Sequence, residues 1–290
     1  MTLAPLALVV LAAFIHATWN LLAKRAAAGG PTFVFFSNLF ACVVYLPWVA
    51  WLIAHGALSW SLPIIGCIVV SGLLHLGYSL CLQRGYQVAE LSVVYPVARG
   101  TGPMLSSIGA FLLLGEAATA PRLLGLLAVV AGIGLISTQG ELGAFRRPGG
   151  QAGIRWGTAT GSLIAGYTVV DAYGVKALGI QPVVLDWCAN LLRLILLVPV
   201  VLSNPARAKA LMEGRWGLAL AVGVLSPLSY ILVLAALDMG APLSLVAPAR
   251  EMSMMVGALF GMIILREPVG PWRLAGCLVL MAGVVLLARG

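Results

Sequence analysis

The sequence predicts an all-α integral membrane protein of ten transmembrane helices, arranged as two inverted five-helix repeats. Three observations predict it: an apolar composition with few charges, ten continuous apolar runs of span length, and polar anchors that recur in order between the two halves. Of 290 residues, 61% are hydrophobic and 9% charged, whereas a soluble domain carries roughly a quarter charged residues. A surface of that composition does not stay dispersed in water. A helical span needs roughly 20 apolar residues, at about 1.5 Å rise each across a core of about 30 Å. The runs here are continuously apolar rather than alternating, which excludes barrel strands and leaves helices as the way to satisfy the backbone in lipid.

The first run, 3–22, has no positive segment before it and is longer than a signal-peptide core, so it is read as a mature span. Further spans are expected near 32–54, 62–82, 91–114 and 121–138, then 156–177, 183–202, 216–236, 243–265 and 271–288. The longest connection, 141–155, holds Gly143, Arg146, Arg147, Pro148, Gly149 and Gly150 and reads as a surface linker. It separates a first repeat, 1–140, from a second, 156–290.

The halves align at a nearly constant offset. Ser92-Val93-Val94-Tyr95-Pro96 falls on Ser244-Leu245-Val246-Ala247-Pro248, and Arg99 falls on Arg250. Gly115-Glu116 matches Arg266-Glu267, Arg122 matches Arg273, Gly125 matches Gly276, and Ala131-Gly132 matches Ala282-Gly283. In the first span of each half, Asn20 falls on Asp171 and Arg25 on Lys176. Five spans per copy is an odd number, so consecutive copies enter the membrane in opposite senses. Inverted repeats of this kind typify secondary transporters, with the substrate site near the midplane between them.

The net charge of +8 does not point to nucleic acid, because the basic residues sit in short loops where they set topology and touch anionic lipid. Loops after odd-numbered spans are basic (Lys24, Arg25, Arg84, Arg146, Arg155, Arg207, Arg215 and others), whereas the opposite side holds Arg122, Lys176 and Arg289. The positive-inside rule therefore places the odd loops in the cytoplasm and both termini outside. Five cysteines, Cys42, Cys67, Cys81, Cys188 and Cys277, lie inside apolar runs without metal-site spacing and read as packing thiols. Gly257 and Gly261 form a GxxxG pattern suited to close helix packing, within the chain or between chains.

Ionisable groups at membrane depth face a cavity or a partner. Arg99 and Arg250 stand at equivalent points in the fourth and ninth spans, each shortly after a proline, Pro96 or Pro248, that can bend its helix. Their guanidinium forks suit carboxylate or phosphate recognition; the alternative is a fixed ion pair. Glu251 has no acidic counterpart in the first repeat and is either a proton carrier or the permanent partner of Arg99 or Arg250. Asp171 is a second proton-coupling candidate. His16, Trp19 and Asn20 share one helical face, as do Tyr167, Val170 and Asp171 in the sixth span, His75, Tyr78 and Ser79 in the third, and Ser226, Ser229 and Tyr230 in the eighth. These faces are expected to line a partly polar cavity, binding or gating a substrate through Arg99, Arg250, His16, Trp19, Asn20, His75, Tyr78 and Tyr230. Glu116 and Glu267, close to Arg122 and Arg273, are expected to pair with those arginines at the turn between the last two spans of each repeat.

The ten spans in two repeats, the prolines of spans four and nine, the Gly115-Glu116 and Arg266-Glu267 turns and the glycine-rich fifth and tenth spans together resemble the EamA-type drug/metabolite transporter superfamily. The segment His16-Ala17-Thr18-Trp19-Asn20 lies where members often carry a first-span Trp. The resemblance covers essentially the whole chain. It implies export, or sometimes uptake, of amino acids, other metabolites or drugs, with no bound cofactor and with both termini in the cytoplasm, opposite to the charge bias.

The expected function is thus a secondary transporter in the cell's plasma or inner membrane, moving a small metabolite, an amino acid or related compound in the export direction, by alternating access. It would contact membrane lipid and its small-molecule substrate, bind no nucleic acid or metal, and act as a monomer or homodimer. Alternatives are drug or toxic-compound efflux on the same fold, a non-transport membrane enzyme, or an assembly subunit. No phosphate-binding loop, HExxH or GxSxG motif is present to support an enzyme.

Overall fold

The structure is a computed structural model that describes residues 3–56, 59–89, 91–146, 149–264 and 270–289. Among the described residues it is all helical. The helices are α1 (Leu3–Arg25), α2 (Gly30–Ala54), α3 (Leu62–Val88), α4 (Leu91–Leu113), α5 (Ala120–Thr138), α6 (Gly150–Lys176), α7 (Pro182–Leu202), α8 (Pro205–Met212), α9 (Trp216–Asp238), α10 (Leu243–Ala249), α11 (Met252–Ile264) and α12 (Pro271–Arg289). Pro at the first or second position opens α2, α3, α5, α7 and α8, where its missing N–H is no loss and its fixed φ suits the helix.

Among the described residues, eight segments are long and apolar enough to cross a membrane: Leu3–Ala23, Gly30–Ala54, Leu62–Leu82, Ala120–Thr138, Pro182–Leu202, Trp216–Asp238, Leu243–Phe260 and Pro271–Arg289. The last-but-one runs across the break between α10 and α11. Their outer faces carry exposed Trp48, Trp51, Leu127, Leu196 and Leu278, as lipid contact requires and water would penalise. The segments missing from that set are α4 and α6, and their packing explains why. Gly153, Gly157 and Gly161 form a stripe on α6 against α4: a Cβ there would lie 2.8 Å from Val93 Cγ1, 2.8 Å from Val97 Cβ and 2.7 Å from Thr101 Cβ. α6 also packs along α3, and α4 along α5 and α10. Helices shielded by protein on several sides need not match lipid, so α6 carries Thr160, Thr168 and Asp171 in buried positions.

A second close approach joins α5 and α12. A Cβ on Gly125 would lie 2.8 Å from the Gly283 carbonyl oxygen, and one on Gly283 would lie 2.8 Å from that of Gly125. Gly132 and Gly276 face each other in the same way, at 2.8 and 2.9 Å. Ile133, Val129, Leu280 and Leu287 close this seam and continue into a core reached by Leu234, Leu237 and Leu243. The other side of the bundle pairs α1 with α9, and α2 with α7 and α9.

Several boundaries differ from expectation. α6 begins at Gly150, where Gly149 at φ +93° starts it, so the helix takes up the end of the expected 141–155 linker; Leu142–Arg146 forms a short 3-10 turn. α3 continues to Val88 rather than ending near 82. The short polar helix α8, capped by Asn204 Oδ1 accepting from Arg207 N at 3.0 Å, was not anticipated. The span expected over 243–265 is two helices meeting at Arg250-Glu251. Gly257 is exposed with open space around its would-be Cβ, so it makes no close packing contact among the described residues. Arg266 and Glu267 lie outside the described residues, and so does any pairing of Glu267 with Arg273. The five cysteines are free thiols, Cys42 and Cys67 fully buried.

Overpacking costs typically 1–3 kcal/mol. Gly132→Val is expected to lower the melting temperature in detergent by several degrees, because its Cβ meets backbone of α12. Gly134→Ala, with open space at its Cβ, is expected to leave it unchanged, and fluorescence-detected thermal unfolding compares the two.

Candidate functional site

Pro248 lacks the N–H that would continue α10, and the backbone responds by tightening. Glu251 N donates to Pro248 O at 3.0 Å, Ser253 N to Arg250 O at 3.2 Å and Met254 N to Glu251 O at 2.9 Å. These three-residue turns replace regular helix and aim Arg250 and Glu251 inward, with 5% and 0% of their surface exposed. α4, by contrast, runs through Pro96 and Pro103 without interruption. It carries Arg99 to the break: Nη1 donates to Glu251 Oε1 at 3.3 Å, and Arg250 Nε stands 3.8 Å from the same oxygen. Two guanidiniums therefore share one buried carboxylate.

The polar contacts continue from there. Arg99 Nη2 donates to His16 Nε2 at 3.0 Å; since Arg has only donors, that nitrogen is the acceptor and a neutral ring carries its proton on Nδ1. The Arg99 guanidinium also lies 5.5 Å from the Tyr95 ring centre, within cation–π range. The His16 and Trp19 rings meet edge to face at 4.9 Å, and Trp19 Nε1 donates to Ser229 Oγ at 3.2 Å. Asn20 Nδ2 donates to His16 O at 2.8 Å, so this part of its amide is taken up by its own helix.

A second cluster surrounds Asp171, which is 1% exposed. Tyr230 OH donates to Asp171 Oδ2 at 2.6 Å, and His75 Nε2 lies 3.1 Å from the same oxygen. His75 stacks on Tyr167 at 3.8 Å, with Tyr78 edge-on to Tyr167 at 5.8 Å. Side chains from α1, α3, α6 and α9 thus meet one another in the region expected as a cavity between the first, third, sixth and eighth spans. Three polar atoms of these clusters, Arg250 Nε, Glu251 Oε2 and Asp171 Oδ1, are buried without a hydrogen-bond partner among the described residues. Such atoms are rare in folded proteins and mark where a water, ion or ligand belongs.

Residues 3–138 match the model of the EamA-like transporter family. The resemblance read from the sequence is therefore borne out over the first half of the chain. No curated protein matches. Among solved structures, a crystal structure described only as that of a protein superposes with a TM-score of 0.78 at 16% identity, covering 100% of this chain and 98% of its own. That likeness concerns the fold alone.

Two features of this chain escape the sequence reading. α7 carries Asp186, Asn190 and Arg193: Asn190 Nδ2 donates to Asp186 Oδ2 at 2.8 Å, and Arg193 Nη2 donates to Asn190 Oδ1. Their spacing puts all three on one helical face, the signal that would have found them. A narrow cleft beside Tyr45, Trp187 and Pro227 adjoins Asp186 and Asn190.

The other concerns Glu116, which does not pair with Arg122 as expected. Gly115 at φ +69° turns the chain after α4, and the Glu116 carboxylate accepts from Leu243 N at 2.5 Å, Ser244 N at 2.9 Å and Ser244 Oγ at 2.6 Å, with Lys176 Nζ at 3.5 Å. A carboxylate from the first half thus caps the free N–H groups that open α10, the arrangement favoured at a helix N-terminus. Arg122 instead donates Nη1 to Ala117 O at 2.9 Å.

Loss of a cap costs about 1 kcal/mol. Glu116→Ala is expected to speed amide hydrogen exchange at Leu243 and Ser244 about fivefold, with Glu116→Gln intermediate; peptide-level exchange in detergent reads both.

Proposed function

We propose that the chain is a secondary transporter of a small metabolite, working by alternating access between two inverted five-helix repeats, 1–140 and 156–290, in the plasma or inner membrane of the cell. The ten spans of this reading are α1–α7, α9, the broken α10–α11 and α12, with the 141–155 segment joining the repeats. The reciprocal glycine contacts support it: Gly125 corresponds to Gly276 and Gly132 to Gly283, so a two-fold axis exchanges the Gly125–Gly283 contact with the Gly276–Gly132 contact.

The observation that carries the function is the Arg99–Glu251 pair at 3.3 Å. It joins the fourth span of one repeat to the break in the ninth span of the other. Because Arg250 shares that carboxylate, the local charge is one positive in excess, which suits a substrate with a carboxylate or phosphate. Arg99 and Arg250 bind or gate; His16, Trp19, His75, Tyr78 and Tyr230 shape the path; Asp171 or Glu251 carries a proton if transport is coupled. Amino acids and related compounds, moved outward, are the leading substrate class, and the family's breadth of cargo keeps drug efflux as the second reading. No cofactor enters the proposal. The unit is a monomer or homodimer embedded in lipid.

A metabolite panel taken up by proteoliposomes, with and without a pH gradient, tests this. Arg250→Ala and Glu251→Gln are expected to abolish uptake while eluting as folded protein in detergent. Unchanged uptake in either variant removes that residue from the mechanism. A reporter fused to the C-terminus decides orientation: cytoplasmic activity overturns the charge-rule placement of the termini.

A further inference from the structure

A cavity of about 500 Å³ opens at one end of the bundle, and its lining includes none of Arg99, Arg250 and Glu251. Arg122, Arg289, Pro5, Gly240, Leu245 and Leu287 are among its walls. α1, α5 and α10 begin at this end, and α9 and α12 finish there. By the sequence's charge distribution this end is nearly bare of basic residues: Arg122, Lys176 and Arg289 are its complement. Lys176 is engaged by Glu116. The other two converge on one cavity.

Their chemistry there is incomplete. Arg122 spends Nη1 on the Ala117 carbonyl, and its buried Nε has no hydrogen-bond partner among the described residues. Arg289 stands exposed in the last turn of α12. Asp238, the acid at the end of α9, is exposed and is not part of the cavity wall. Met239 and Ala288 add exposed apolar surface beside them, and Pro5, Leu245 and Leu287 lie buried beneath. A ligand that satisfies both halves of this surface is anionic at one end and apolar along the rest. A free inorganic anion would meet the arginines but leave the apolar wall unused.

We propose that this cavity binds the headgroup of an anionic phospholipid, its phosphate between Arg122 and Arg289 and its first acyl carbons against Met239 and Ala288. Arginine forks suit phosphate oxygens, and basic residues near an anionic lipid surface each add about a fivefold factor in affinity. The wall includes Gly240 and Leu245, which flank the residues held by Glu116, so a bound lipid would rest on the α9–α10 turn.

Native mass spectrometry of the delipidated full chain in neutral detergent tests the site. The probes are dioleoylphosphatidylglycerol, dioleoylphosphatidylcholine and inorganic phosphate. One saturable phosphatidylglycerol adduct is expected, weakened about 30-fold in R122Q/R289Q and about fivefold in R289Q alone, with weak phosphatidylcholine binding and no phosphate competition. Circular dichroism and size exclusion check the double variant's fold; should it misfold, R289Q at the exposed end of α12 decides. Equal phosphatidylglycerol binding by wild type and R289Q, or equal binding of the two lipids, overturns the site. Displacement of the lipid by inorganic phosphate at comparable concentration overturns the lipid assignment in favour of a free anion.

Discussion

Glu251 has no exposed surface, and its carboxylate is held by guanidiniums from both halves of the chain. Taking a carboxylate out of water costs several kcal/mol even after relaxation, and only close, well-aligned partners offset it. That requirement propagates outward. The break after Pro248 turns both Arg250 and Glu251 inward. The glycine stripe of α6 seats α4 closely, and α4 in turn delivers Arg99. His16 then accepts the second Arg99 donor, which fixes how α1 must stand. The ion pair does not hold the bundle together by itself; apolar burial along α5, α12 and α9 does that. It decides which arrangement of the bundle leaves the fewest unpaired charges.

The same reasoning explains why α4 and α6 are the least lipid-like of the long helices. Both contribute charged or hydroxylated residues to the interior, and both are covered by neighbours. Polar groups on them face protein, where hydrogen-bond partners exist. From His16 through Arg99 and Glu251, and from Tyr230 through Asp171 to His75 and Tyr167, the interior is a succession of paired polar side chains. A few atoms, Glu251 Oε2 and Asp171 Oδ1 among them, are left over. An interior that is nearly but not fully satisfied is one that a polar ligand or water can complete, and re-pairing these groups is a physical means of switching conformations.

Much of the helical frame was legible in the sequence, because apolar runs of span length are a local signal. That Arg99, Arg250, Glu251 and Asp171 would find partners in the interior was legible too, since charge inside such a run is conspicuous. Their partners were not. Glu116 reads locally as a neighbour of Arg122, yet its carboxylate reaches Leu243 and Ser244 in the other half. Asn20 reads as a polar cavity residue, but its amide bonds its own helix. Asp186, Asn190 and Arg193 were overlooked although their spacing marks a common face. The break at Arg250-Glu251 shows why proline position alone is a weak guide: Pro96 occupies the corresponding place in α4, and that helix continues. Which proline interrupts its helix depends on neighbours that a linear reading does not reveal.

Arg99 and Glu251, paired at 3.3 Å, are expected to act as one unit across the halves. A double-mutant cycle with Arg99→Gln, Glu251→Gln and the pair, followed by reversible denaturant unfolding in detergent, tests it most directly. The account predicts that the double variant loses less stability than the sum of the singles by at least about 1 kcal/mol. Additivity to within about 0.5 kcal/mol would contradict it.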